Sequence, residues 1–231
     1  MKKLTLTLCT LAFFSTNVFG QTIAKFTFET SLPAGTPGAG VWLTNISAEV
    51  GSGVASAWHA GAATYSNPAG NGSAESFSAN TWAVGDLFQV AVNTTGNSKI
   101  GLSFDQTSST TGPGFFDLKY STDGVNFTTF ASNLLIASNA APNPVWNSTT
   151  ASSIYSFSFD LSAVTALDNK PTVWFQLIDS STTSSGGGTV AAAGTSRLDN
   201  FEVFVVPEPS VAGLAFLGGL LGFGLTLRRK N

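Results

Sequence analysis

Between residues 154 and 161 the chain reads IYSFSFDL, in which Tyr155, Phe157, Phe159 and Leu161 alternate with small or acidic residues. A repeat of two puts every aromatic ring on one side of an extended backbone, because successive strand side chains point to opposite faces. An α-helix would scatter the same rings around its axis. The pattern recurs: KIGLSFDQ alternates Ile100, Leu102 and Phe104, FFDLKYS alternates Phe116, Leu118 and Tyr120, and NFEVFVV places Phe201, Val203 and Val205 together. TIAKFTFE sets Ala24, Phe26 and Phe28 opposite Ile23, Lys25, Thr27 and Glu29. DLFQVAV and TVWFQLID are more continuously apolar, as expected of central strands. In STDGVNF, Asp123-Gly124 is a hairpin signal between two strand-like segments.

No helical period of useful length appears before Val211. These strands over roughly 185 residues predict one all-β domain, an antiparallel β-sandwich of jelly-roll type spanning 21–205. Composition agrees. Only 10% of residues are charged, well below the roughly 25% of ordinary soluble proteins, while Gly numbers 24 and Phe 19. The run STTSSGGGTVAAAG, 181–194, reads as a mobile loop ahead of the last strand.

The net charge of −3 hides a division. Between Gln21 and Val205 there are five basic residues against twelve acidic ones, a body near −7. That sign repels phosphate backbones, so nucleic acid is not expected as a partner. The sole cysteine, Cys9, lies in the first apolar stretch, and with it removed neither a disulfide nor a thiolate metal site is available.

The two ends carry different signals. Residues 1–20 begin with Lys2 and Lys3, continue with an apolar run from Leu4 to Phe14, and finish with Val18 and Gly20 before a plausible cut. The run is too short to span a bilayer and reads as a cleaved secretory signal peptide. At the other end, Val211 to Leu227 has no charge and is followed by Arg228, Arg229 and Lys230. Such a segment is a short transmembrane helix whose basic end stays cytoplasmic and leaves the body outside. Pro207 and Pro209 force extended backbone ahead of it and hold Glu208 accessible.

Together, Pro207-Glu208-Pro209, the glycine-rich apolar segment and the basic tail resemble the PEP-CTERM sorting signal of Gram-negative bacteria, over residues 206–231. The resemblance implies recognition by an exosortase, a membrane-embedded processing protease, with passage through the inner membrane to the cell surface or extracellular matrix. It also implies bacteria that make exopolysaccharide. A plain single-span anchor is the alternative reading of the same residues.

Within the body, chemistry is sparsely signalled. A nucleophile–base pair usually needs a histidine, and His59 in ASAWHAGAATYS is the only one, read as a surface or edge-strand residue. No acidic pair is nominated by spacing. The expectation is a non-enzymatic surface or matrix protein associated with exopolysaccharide or biofilm. The alternatives are a carbohydrate-binding adhesion module and a secreted glycoside hydrolase using two carboxylates.

Sugar binding needs aromatic faces in solvent. Trp58, Trp82 and Trp146 lie in polar, loop-like surroundings and are the candidates, whereas Trp174, in mid-strand, is read as core. The ends FTFE and RLDNFEV are similar to those of carbohydrate-binding jelly rolls in the galactose-binding-like group. That resemblance raises one cofactor, a structural calcium held by Glu29 and Asp199 with help from carbonyl oxygens. The bland alternative makes both solvated turn residues, with Asp199 paired to Arg197.

Overall fold

A computed structural model describes residues 20–207, in which 21–206 form one compact unit. The signal-peptide segment before residue 20 lies outside the described residues. So do Glu208, Pro209, the apolar segment Val211–Leu227 and the basic tail Arg228, Arg229 and Lys230. Among the described residues no helix is long and apolar enough to cross a membrane.

The alternation produces strands where it was strongest. In chain order these are β1 (Thr22–Phe26), β2 (Leu43–Ser47), β3 (Val50–Gly51), β4 (Gly53–Trp58), β5 (Tyr65–Ser66), β6 (Phe77–Ala79) and β7 (Leu87–Val92). They continue with β8 (Ile100–Ser108), β9 (Phe115–Ser121), β10 (Thr128–Leu135), β11 (Ser156–Asp160), β12 (Val173–Asp179) and β13 (Ser196–Val205). The helical content of the described residues is two 3₁₀ turns, Ser153–Tyr155 and Thr165–Leu167.

Two antiparallel sheets enclose one core. The seven-stranded sheet runs β11-β8-β13-β1-β3, with β6 pairing β13 and β5 pairing β6. The six-stranded sheet runs β10-β9-β12-β7-β4-β2. First and last strands pair, Phe26 opposite Phe201 and Lys25 opposite Glu202. The expected inward faces are buried: Phe26, Phe104 and Phe201 from one sheet, and Phe88, Phe116, Phe175 and Leu177 from the other, each at most 1% exposed. Phe104 stacks on Phe157 and Phe201 at centroid separations of 5.1 and 6.0 Å. Each such ring removed from water contributes about 1.5–3 kcal/mol.

Two expectations change. β2 to β6 were not foreseen, because β4 turns Ala55 and Ala57 inward and a methyl group leaves little hydropathy alternation to read. The run 181–194 is tied down rather than loose. Gly186 and Ala191 donate backbone hydrogen bonds to Thr110 and Thr111, and Ser185 donates to Gly112. The two backbones lie so close that a Cβ at Gly194 would stand 2.1 Å from the Thr111 carbonyl oxygen. Glycine here serves close approach rather than flexibility.

Candidate functional site on the six-stranded sheet

The register of β4, β7, β12 and β9 dictates what the six-stranded sheet shows to solvent. Ala55, Val90, Phe175 and Leu118 face the core, so their neighbours face out. One outward row is Trp58–Leu87–Ile178–Asp117, the next is Ser56–Gln89–Gln176–Lys119, and the third is Val54–Ala91–Trp174–Ser121. The outer side is therefore banded, with two rows carrying a tryptophan each and a polar row between them; Leu87, Ser56, Gln176 and Ser121 are buried within it, and solvent reaches Val54, Trp58, Gln89, Lys119 and Trp174.

Each band is held in place. Trp58 is half-buried and donates from Nε1 to the Gly40 carbonyl at 3.0 Å. Trp174 is half-buried under the β9–β10 turn, where a Cβ on Gly124 would come within 3.2 Å of its ring. In that turn Asp123 accepts from the backbone N–H groups of Val125 and Asn126, as the Asp-Gly signal led one to expect. Between the tryptophans, Gln176 donates to Gln89 Oε1 at 2.8 Å, and Gln89 Nε2 in turn reaches Ser56 Oγ at 3.5 Å. Trp42, which precedes β2 beside Trp58's strand, is 41% exposed. Trp58 and Trp174 stand two strands and four residues apart, roughly 10 Å by 13 Å.

The three tryptophans read as sugar-facing have different fates. Trp58 is on this face. Trp82 and Trp146 are only 6% and 5% exposed, and neither offers a ring face to solvent. Trp82 donates to the Ala79 carbonyl and packs on His59, Phe88 and Phe116, while Trp146 donates to the Ala69 carbonyl and meets Tyr155 edge-on. Their loops fold back over the open ends of the sandwich, which polar flanking residues did not reveal. Trp174 moves the other way, out of the core. Its signal was present: Val173, Phe175 and Leu177 fill the inward positions, and the intervening residue must face out.

His59 is not a surface residue. It is 1% exposed, with Nδ1 3.4 Å from Asp86 Oδ2, and burial pushes its pKa down against the opposing pull of Asp86. A ring sealed in this way does not reach a substrate. Asp86 itself accepts from the Ala60 and Ala83 N–H groups.

Glu29 and Asp199 converge on one loop, residues 68–76. Glu29 Oε1 accepts from Glu75 N at 2.9 Å. Asp199 is fully buried, and its carboxylate accepts from Asn71 N, Ser73 Oγ, Asn200 N and Asn200 Nδ2. Burial nevertheless pushes its pKa up to about 6. It makes no ion pair with Arg197 among the described residues. Above Gly70 the oxygens crowd together: a Cβ there would meet Ser73 Oγ, Asp199 Oδ2 and Glu75 O at 2.0–2.3 Å. An oxygen cluster of that kind suits a hard cation in donor type, and supplies part of the six to eight ligands that calcium takes. No group of three or more His, Cys, Asp or Glu residues suited to a metal occurs among the described residues.

No family model matches the sequence, and no curated protein matches it. Solved structures do resemble it. The CBM22-2 xylan-binding domain of Paenibacillus barcinonensis Xyn10C shares 13% identity over 80% of this chain and 99% of its own, with a TM-score of 0.38. The K1 cleaved adhesin domain of Lys-gingipain from Porphyromonas gingivalis shares 12% identity over 63% and 84%, with a TM-score of 0.37. The N-terminal cellulose-binding domain of Cellulomonas fimi β-1,4-glucanase C shares 14% identity over 68% and 90%, with a TM-score of 0.28. Likeness at this level concerns the all-β fold alone.

Proposed function

We propose that the sandwich is a non-enzymatic binding module that docks an extended polysaccharide across the outer face of its six-stranded sheet, on the surface of a bacterium or in its matrix. The observation that carries this reading is the banded face: Trp58 and Trp174, both half-buried, flank a polar row whose partly exposed members are Gln89 and Lys119, with Gln176 and Ser56 buried beneath them as hydrogen-bonded support. Pyranose rings are apolar on their flat faces and hydroxylated around their edges. Indole rings take the former, and amides, hydroxyls and an ammonium take the latter. The sequence signals at the two ends deliver the module: the first exports the chain, and the PEP-CTERM-like tail brings it to an exosortase at the inner membrane. A calcium ion held by Asp199 and Glu29 with help from carbonyl oxygens of the 68–76 loop would brace that loop without taking part in binding.

Two experiments test this. In pull-downs on exopolysaccharide, the W58A/W174A double variant should lose at least about tenfold in affinity while melting within a few degrees of wild type. Equal retention of variant and wild type would remove the face from the proposal. For sorting, the mature protein is weighed and located in cells with and without exosortase. The expected wild-type mass lacks Val211–Asn231, and a mature form that keeps this segment favours the plain anchor.

A further inference from the structure

The opposite sheet carries a different kind of recess. A cleft of about 310 Å³ opens on the outer face of the seven-stranded sheet, at the low end of the roughly 300–1,000 Å³ typical of ligand sites. Register builds it. Lys25, Glu202, Ser103 and Ser158 form one outward row across β1, β13, β8 and β11, and Asp105 pairs with Ser156 in the next. Between the rows β13 bulges: its register shifts between Asp199 and Glu202, and Asn200 sits at φ 48°, so its side chain enters the cleft.

The polar groups here are only partly satisfied. Asp105 accepts from Ser156 Oγ on one oxygen and from Asn200 Nδ2 on the other. Glu202 accepts from Thr22 Oγ1 on Oε1, and its Oε2 lies 3.6 Å from Lys25 Nζ. A carboxylate has about four acceptor sites, so each retains capacity for two more donors. Lys25 has three protons and one long ion pair. Ser103 and Ser158 are tied into the sheet by their backbones, and their hydroxyls are left for a ligand.

We infer that this cleft is a binding site for a single neutral or amino-sugar residue, held at a chain end, a branch or free in solution. Each sugar hydroxyl both donates and accepts. Two carboxylates with spare acceptor sites, an ammonium, an amide and two hydroxyls meet that double demand, whereas an apolar ligand would leave them unpaired. The volume admits one ring. Two acids against one lysine make the site net negative, so it disfavours uronates and favours a protonated amino sugar. No tryptophan lines it; Phe104 and Phe157 also line the cleft, and the polar groups around them set the recognition, independently of the stacking proposed for the other sheet.

The test titrates the purified full-length protein with glucose, galactose, glucosamine and glucuronate, reading saturation-transfer NMR and calorimetry. Glucosamine and at least one neutral hexose should bind, glucuronate at least about tenfold more weakly. Measured in the W58A/W174A background, so that the other sheet contributes nothing, E202Q should weaken binding about tenfold and S158A, which removes an exposed hydroxyl on the edge strand, about twofold to fivefold. Absence of saturable binding to every sugar overturns the assignment. So does binding that ignores both E202Q and S158A, or a preference for glucuronate. Release of a cleaved product from an oligosaccharide likewise overturns it, in favour of a hydrolase using Asp105 and Glu202.

Discussion

Asp199 and Asp179 are both buried carboxylates, 0% and 1% exposed, and burial pushes both up to about 6. Their surroundings differ. Asp199 is met by four donors and anchors the 68–76 loop to the last strand. Asp179, at the end of β12, accepts from Ser181 N on Oδ1, while its Oδ2 has no partner among the described residues and Asp86 lies close enough to raise its pKa further. In the same region the Tyr65 hydroxyl has no hydrogen-bond partner among the described residues, and His59 Nδ1 stands 3.4 Å from Asp86 Oδ2. Burial sets the direction of the pKa, but hydrogen bonding decides what removing the group does. One carboxylate holds the fold together, and the other weakens it.

The largest expected effect follows from the first half of that comparison. Asp199→Ala strands the buried N–H of Asn71, frees the loop from the last strand and leaves a cavity, and should cost about 3–5 kcal/mol, read as a lowered urea midpoint with unchanged slope. A loss below about 1 kcal/mol would mean that the loop is held elsewhere.

Calcium sharpens the same side. If the oxygens over Gly70 take the ion, saturating calcium should stabilise the protein by about 1–3 kcal/mol through mass action, an effect that chelator reverses and Asp199→Asn abolishes. A melting temperature indifferent to calcium and chelator would remove the ion.

The smallest effect has the opposite sign. Asp179→Asn removes an under-solvated charge and should stabilise by about 1–2 kcal/mol at pH 7. Its advantage should fade on acidification. Asp179 has its folded pKa raised from 3.8 to about 6, so the stability it contributes is full below 3.8 and lost as pH rises through 6. Asp199 behaves alike. His59 runs the other way: its folded pKa lies below 6.5, so its contribution is present above 6.5 and lost as pH falls. Between pH 6 and 4 Asp179→Asn should therefore lose ground to wild type, because the variant lacks one of the two carboxylate contributions that grow on acidification. A variant whose gain persists at pH 4 would show that Asp179 is not the group titrating.

Much of the architecture was legible because a two-residue period states which side chains share a face. Phe104 and Phe157, Phe116 and Leu118, and Phe201 and Val203 all went where alternation put them. β4 was illegible because Ala55 and Ala57 are too small to mark an inward face. The site was half legible. Trp58 lies on an outward face, whereas Trp82 and Trp146, chosen for the same polar flanks, are buried, since such flanks do not distinguish an exposed loop from one folded over a core. Glu29 and Asp199 were brought to the same loop, although the 68–76 segment that joins them carried no signal of its own.

The amino-acid sequence by itself determined the strand-forming segments, the inward rows of Phe, Leu and Val, and the hairpin at Asp123-Gly124, because each depends on neighbours within a few residues. Only the tertiary structure decided that Trp58 and Trp174 share one outward face, and that Asp105 and Glu202 share a cleft on the other. Which outward residues meet depends on strand order and register between segments dozens of residues apart, and these are settled by packing the whole core.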